Sequence, residues 1–233
     1  MLWAHGITAP GRPPAGVTWV DGGDRASDDS EARRASLGVG HDFVFRVSPN
    51  RPVWSDAAQT RSTDLPDFAR KLRSLGTDTV AIPARGGRAG REAKVALAAA
   101  RVWIPASTQP AERAEPPVIA AWVERVWEPH PPQGVAAAEW IVVTSVESET
   151  WEPLKERRDW DACRWRVEVY HDVEKNGCGR EARRFETADR MAACLAILSV
   201  VAVRVFALRT ALDHPPQAGG GGGGESGGGD GVE

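Results

Sequence analysis

Cysteine is scarce in this chain: 233 residues hold three, Cys163, Cys178 and Cys194, with no CxxC spacing and no even set. Neither a disulfide framework nor a zinc site is expected, and the reading is a reduced, cytoplasmic protein. Net charge is small as well. The formal value is −3, and the last 21 residues contribute Asp213, Glu225, Asp230 and Glu233 without any Lys or Arg, which leaves 29 basic against 28 acidic residues elsewhere. So neutral a body excludes a global basic field, and affinity for nucleic acid must come from local patches. No signal-peptide pattern opens the sequence. The longest uncharged apolar run of the second half, Met191–Val203, has 13 residues. That falls short of the about 20 needed to span a bilayer and suits a buried core helix. There is no internal repeat.

What is present reads as a mixed α/β chain, long enough for one large domain or two small ones. The first sixteen residues, with Pro10, Pro13 and Pro14, should form a loop. Val17–Val20 suits a buried strand that ends in the acidic loop DGGDRASDD, residues 28–37 are helix-compatible, and Asp42–Val47 alternates as a strand. Residues 49–138 are rich in Pro and Gly, with strand-like runs at Thr79–Pro83, Lys94–Ile104 and Val118–Trp127, which suits a mostly antiparallel insertion. Inside it, PARGGRAGREAK sets Arg85, Arg88, Arg91 and Lys94 at three-residue steps. This is either a basic loop for phosphates or a solvated hairpin turn. EWIVVTS, Glu139–Ser145, is a strong strand, and Ala188–Leu212 is a helix with a wide apolar face, expected to pack on the sheet. After Pro215 and Pro216 the glycine-rich tail cannot bury a core and should be disordered.

The stretch Asp159–Lys175, DWDACRWRVEVYHDVEK, lacks Pro and Gly, and Gly177 and Gly179 follow it, so it reads as a helix with a stop signal. On a regular helix Arg164, Glu168 and Lys175 fall within roughly 40° of one another, which sets one carboxylate between two cations. A solvated face with an i,i+4 ion pair has the same pattern.

Several of these phrases, in this order, resemble bacterial cut-and-paste DDE transposases of the Tn-five type, the insertion-sequence-four family. The signature helix there runs Tyr-x2-Arg-x3-Glu-x6-Lys, matched by Arg164, Glu168 and Lys175, with Trp165 after the Arg and Asp161 in place of the Tyr. Asp24-Arg25-Ala26-Ser27-Asp28 matches the family's Asp-Arg-x-x-Asp phrase, DFVFRV its following strand, and Trp140 stands 24 residues before Arg164, as in the family. The apolar helix after Arg190 agrees too, and the likeness covers roughly residues 2–212.

The resemblance implies an incomplete RNase H-like α/β core, residues 1–48 and 139–212, interrupted by a β-rich insertion, 49–138, and followed by a tail, 213–233. Asp24 and Glu168 would be catalytic and would bind Mg²⁺ or Mn²⁺, with Asp21 the competitor for the first position. As simple loop acids, both aspartates could equally cap a helix. Arg164 and Lys175 would bind phosphates, and Trp140 and Trp165 would stack an extruded base. The partners implied are double-stranded transposon ends and full-length transposase, without a membrane. The family's first catalytic Asp and its DNA-binding segment have no counterpart here. The expectation is therefore an N-terminally truncated part of the catalytic core, inactive alone. The other readings are a non-catalytic remnant that binds DNA or transposase and interferes with transposition, and a decayed product that does not fold stably.

Overall fold

The computed structural model describes residues 2–82, 84, 89–105, 118–179 and 182–213. The chain divides into two compact units, Met1–Arg164 and Trp165–Glu233. The glycine-rich tail lies outside the described residues.

The first unit opens with a helix, α1 (Leu2–Thr8), where a loop was expected. Seven residues free of Pro suffice for two turns, and the helix stops short of Pro10, whose ring disfavours the helical region for the residue before it. Strand β1 (Val20–Gly23) begins where the apolar run 17–20 ends, and Val17 is exposed. Of the two glycines that end the strand, Gly22 has open space around it and Gly23 does not. A Cβ on Gly23 would lie 2.5 Å from Ser27 Cβ and 2.9 Å from Phe45 Cδ1. Helix α2 (Ser30–Val39) starts on Asp29, whose carboxylate accepts the Glu31 N–H at 2.6 Å, and stops at Gly40 in the left-handed region, φ 80°. Strand β2 (Asp42–Arg46) then pairs parallel with β1, from Val20 against Asp42 to Gly23 against Phe45.

Every other pairing among the described strands is antiparallel. β3 (Pro52–Trp54), β4 (Ser62–Asp64), β5 (Gly76–Ile82), β6 (Arg91–Pro105), β7 (Val118–Trp127) and β8 (Glu139–Thr144) complete one eight-stranded sheet, ordered β1-β2-β8-β7-β6-β3-β4, with β5 also on β6. Strands expected in the core and in the insertion thus share a single sheet. Between β4 and β5 lies α3 (Leu65–Arg70), capped by Asp64.

Side chains alternate across a strand, so each sheet face collects its own core. One face gathers Phe43, Phe45, Val102, Ile104, Val123 and Val143 under Ala32 of α2 and Leu65 and Ala69 of α3. The other gathers Val95, Leu97 and Val126 under Leu154 of α4 (Trp151–Cys163). Each large side chain fully removed from water contributes about 1.5–3 kcal/mol, and these two layers hold the unit together. The start of α4 is fitted closely to the sheet. A Cβ at Gly76 would meet the Trp151 ring at 2.6 Å. Gly76→Ala is therefore expected to overpack this corner and lower stability by about 1–3 kcal/mol, read from the urea midpoint. An unchanged midpoint would mean that the indole gives way freely.

The second unit holds α5 (Arg166–Asp172), a π-helical turn (Val173–Gly177) and α6 (Ala188–Asp213). The regular helix expected over 159–175 is therefore three pieces. Arg164 and Trp165 keep right-handed helical dihedrals, but the Arg164 N–H bonds back three residues, to Asp161 O, and Glu168 N–H to Trp165 O. Further on, the Cys178 N–H reaches five residues back to Val173 O at 2.9 Å. A tightened turn and then a widened one break the constant angular step, so the phase argument for Lys175 does not hold.

Helix α6 runs through Arg204, which ends the 13-residue run but not the helix. By length and composition, Ala188–Leu212 is long and apolar enough to cross a membrane. Within its own unit it buries Leu198 and Ala202, while Ile197 and Leu208 are each 67% exposed. Inside this unit the Ser199 hydroxyl donates to Glu174 Oε1 at 3.2 Å.

Candidate functional site

Gly23 ends β1, so Asp24 is the first residue past the strand, at the C-terminal end of the parallel pair. It is exposed and caps a 3₁₀ turn, Arg25–Ser27: Oδ1 accepts the Ala26 N–H at 2.9 Å and the Ser27 hydroxyl at 3.5 Å. Both contacts fall on one oxygen. Asp21, its competitor, lies inside the strand, and its Oδ2 is 3.1 Å from His41 Nδ1. His41 Nε2–H in turn donates to the Gly11 carbonyl at 2.8 Å, which ties the N-terminal segment to the sheet. Asp21 thus has a structural task and Asp24 keeps an oxygen outside the cap.

The last residue of the same phrase does something else. Asp28 is buried; its carboxylate pairs with Arg33 and Arg51 and accepts the Ser48 N–H at 2.8 Å. Arg33 is fully buried, and desolvation lowers its guanidinium to about 10 against the pull of Asp28.

A cleft of about 380 Å³ opens in the first unit. Arg25 enters it from beyond β1, Arg46 from the end of β2, and Trp140 from β8. These come from the three phrases singled out in the sequence, separated by up to 115 residues and brought to one place. Arg46 lies over the Trp140 ring at 5.8 Å, a cation–π arrangement, and the indole N–H is buried without a protein acceptor. The charges lining the cleft balance. Arg70 gives its guanidinium to Glu139 at 3.2 Å, and Arg125 joins the same carboxylate at 2.7 Å. Burial alone would push the Glu139 carboxyl up, but these two arginines hold it below the usual carboxylate range.

Asp161, at the position of the signature tyrosine, does not stand as a loose negative charge. Its side chain is 2% exposed and grips Arg46 through two hydrogen bonds, 3.1 and 2.8 Å. A bidentate pair of this kind fixes orientation as well as charge. Sequence reasoning missed it, although DFVFR contained the signal: an Arg in step with Val44 on an inward face needs a carboxylate.

Of the basic loop, Arg85 and Arg88 lie outside the described residues. Arg91 is held by Glu128 through two contacts of 2.6 Å, which raises the Arg91 pKa and lowers that of Glu128. Arg91 is the first residue of β6. Lys94 is exposed on β6.

Arg164 closes the first unit, half-buried. In the second unit, Trp165 is 55% exposed, Glu168 is exposed in the first turn of α5, and Lys175 is exposed in the π-turn. Among the described residues, no three His, Cys, Asp or Glu side chains are arranged to hold a metal ion. No family model matches the chain.

Proposed function

We propose that this chain is part of a DDE-type DNA transposase, a metal-dependent enzyme of DNA strand cleavage and transfer in DNA recombination. Its incomplete RNase H-like core would be interrupted by a β-rich insertion, and it would act in the cytoplasm on double-stranded transposon ends. The observation that carries the reading is the shared cleft lined by Arg25, which follows Asp24 in the chain, Arg46 and Trp140. The neighbouring strands β1, β2 and β8 bring these three family-like phrases to one cleft.

The donor chemistry fits Mg²⁺ or Mn²⁺, since both are hard ions held by carboxylate oxygens, and Asp24 keeps Oδ2 outside its cap. Asp24 would be a ligand of the ion, and the resemblance makes Glu168 a catalytic carboxylate; when bound, the ion would activate the attacking oxygen and stabilise the leaving one. Trp140 would take an extruded base on its face, with stacking worth about 1–3 kcal/mol per base. A charge-balanced aromatic cleft suits a base better than a phosphate. Phosphates would fall to Arg164 and Lys175, with Trp165 offering a second stacking face.

The second reading is a DNA- or transposase-binding remnant without catalysis, which interferes with transposition. In its favour, Arg46 and Arg91 already have carboxylate partners. Only two of the three acids of a DDE site have been assigned in this sequence. Purified chain is thus expected to bind duplexes carrying the element's ends, in the presence of Mg²⁺ or Mn²⁺, and to leave the strands intact. Robust nicking that is lost in Glu168→Gln would establish a complete enzyme and overturn the expectation of inactivity. Failure to bind such duplexes above unrelated DNA would sink the enzyme reading and the DNA-binding form of the remnant.

A further inference from the structure

Glu124 lies at the centre of the sheet with no exposed surface. Its cross-strand neighbours, Ala99 of β6 and Val142 of β8, are apolar. Among the described residues its one hydrogen-bond partner is the hydroxyl of Ser148, itself buried in the loop between β8 and α4, which meets Oε1. Oε2 is buried with no hydrogen bond. The charged groups that face it both come from α4. Asp161 is taken by Arg46 of β2, and Arg157 is turned toward Glu156, Nη1 to Oε2 at 2.6 Å, with its own Nε buried and unbonded.

A neutral carboxyl can give its own proton to the Ser148 hydroxyl, whose hydrogen then goes to the Val146 carbonyl at 3.3 Å, whereas one hydroxyl cannot satisfy an ion. A carboxylate has about four acceptor sites, and an ionised group left dry and unpaired is among the most expensive things a protein can bury. We propose that Glu124 is a proton-operated latch on the loop 145–150: uncharged it holds Ser148 and the start of α4 against the sheet, and charged it releases them. On release the carboxylate gains water, or Arg157 swung inward from Glu156. The latch stands on this geometry and is independent of the DNA-processing reading.

Desolvation pushes the Glu124 carboxyl up to about 8, with Ser148 and Arg157 opposing and Asp161 reinforcing. The sign follows. The closed form carries a proton below about 8, while the open form loses it above the ordinary value of 4.5. Closure is therefore fully favoured below 4.5, is lost progressively as pH rises, and levels off above about 8. In that window the opening constant should rise close to tenfold per pH unit.

Amide hydrogen exchange of residues 145–154 at pH 5.5 and 7.5, corrected for intrinsic base catalysis, tests this. The full chain should open about a hundredfold more at the higher pH. Glu124→Gln, which keeps an acceptor for Ser148 and cannot ionise, should show no such rise. Ser148→Ala should exchange faster at both values while keeping the slope. Parallel slopes in wild type and Glu124→Gln, or a flat wild type, would overturn the latch. Should Glu124→Gln not fold, the claim still rests on Ser148→Ala, where unchanged protection at pH 5.5 overturns it. A Glu124 carboxyl that titrates near 4.5 by ¹³C NMR would do the same.

Discussion

Asp28→Ala is expected to destabilise the first unit by about 3–5 kcal/mol, the cost of breaking a buried pair by removing one partner. The carboxylate is 0% exposed and serves two guanidiniums and a backbone N–H. Its removal leaves Arg33, also 0% exposed, without its paired carboxylate and with only the more distant charge of Asp29 in support. Burial lowers the Arg33 guanidinium to about 10 even with Asp28 opposing, so the variant loses both the pairing and that support for the charge. Water would have to enter between α2 and the sheet, next to Ala32 of the larger core. Urea unfolding at pH 7 measures the loss. Asp28→Asn should recover part of it, since the amide oxygen still accepts from Ser48. The double variant Asp28→Leu, Arg33→Met should be much closer to wild type than the single alanine variant, because replacing both members of a buried pair removes the desolvation cost together with the attraction. A loss below 1 kcal/mol for Asp28→Ala would show that the pair is wetter than its geometry indicates.

This cluster also shows how far local sequence could be read. The Asp-Arg-x-x-Asp phrase suggested one site, yet its two acids part company over four residues: Asp24 caps a turn in the open, and Asp28 is a buried hub. No spacing rule distinguishes the two, because burial of Asp28 depends on Arg51 and Ser48, which lie beyond the next strand. Alternation did place Phe43 and Phe45 inward, and it was equally able to place Arg46 on the opposite face. What it lacked was the partner, Asp161, 115 residues away. The strands of residues 76–127 were legible from β-branched runs, although not their membership of the same sheet as β1. The helix over 159–175 failed differently. Its pattern assumed a constant 3.6-residue period, which the π-turn at Val173–Gly177 breaks; Glu174 in that turn accepts from Ser199 of α6, a contact no local pattern encodes. The apolar length of α6 was underread because one Arg was taken as the end of a run.

Asp24→Asn is expected to lower the affinity of the chain for Mn²⁺ by at least about a hundredfold, with no change in thermal stability. The two halves of that statement have separate causes. Asn caps a helix start as well as Asp does, so the acceptor for the Ala26 N–H survives and the fold has no reason to weaken. What disappears is the anionic oxygen, Oδ2, outside the cap, and with it a hard ligand that a neutral amide replaces poorly. Residues that only orient a metal's ligands are already worth about 10–100-fold in affinity, so a direct ligand should exceed that. Asp21→Asn gives the opposite pattern: metal affinity unchanged and stability reduced, because the contact to His41 at 3.1 Å and the anchoring of Gly11 through it are weakened. Mn²⁺ binding followed by electron paramagnetic resonance, beside thermal melts of the same samples, separates the two. If Asp21→Asn loses the ion and Asp24→Asn keeps it, the site belongs to the strand and not to the turn beyond it. If neither variant changes the binding of Mn²⁺, then Asp24 is a helix cap and nothing more, and the proposed metal chemistry at this end of β1 falls with it.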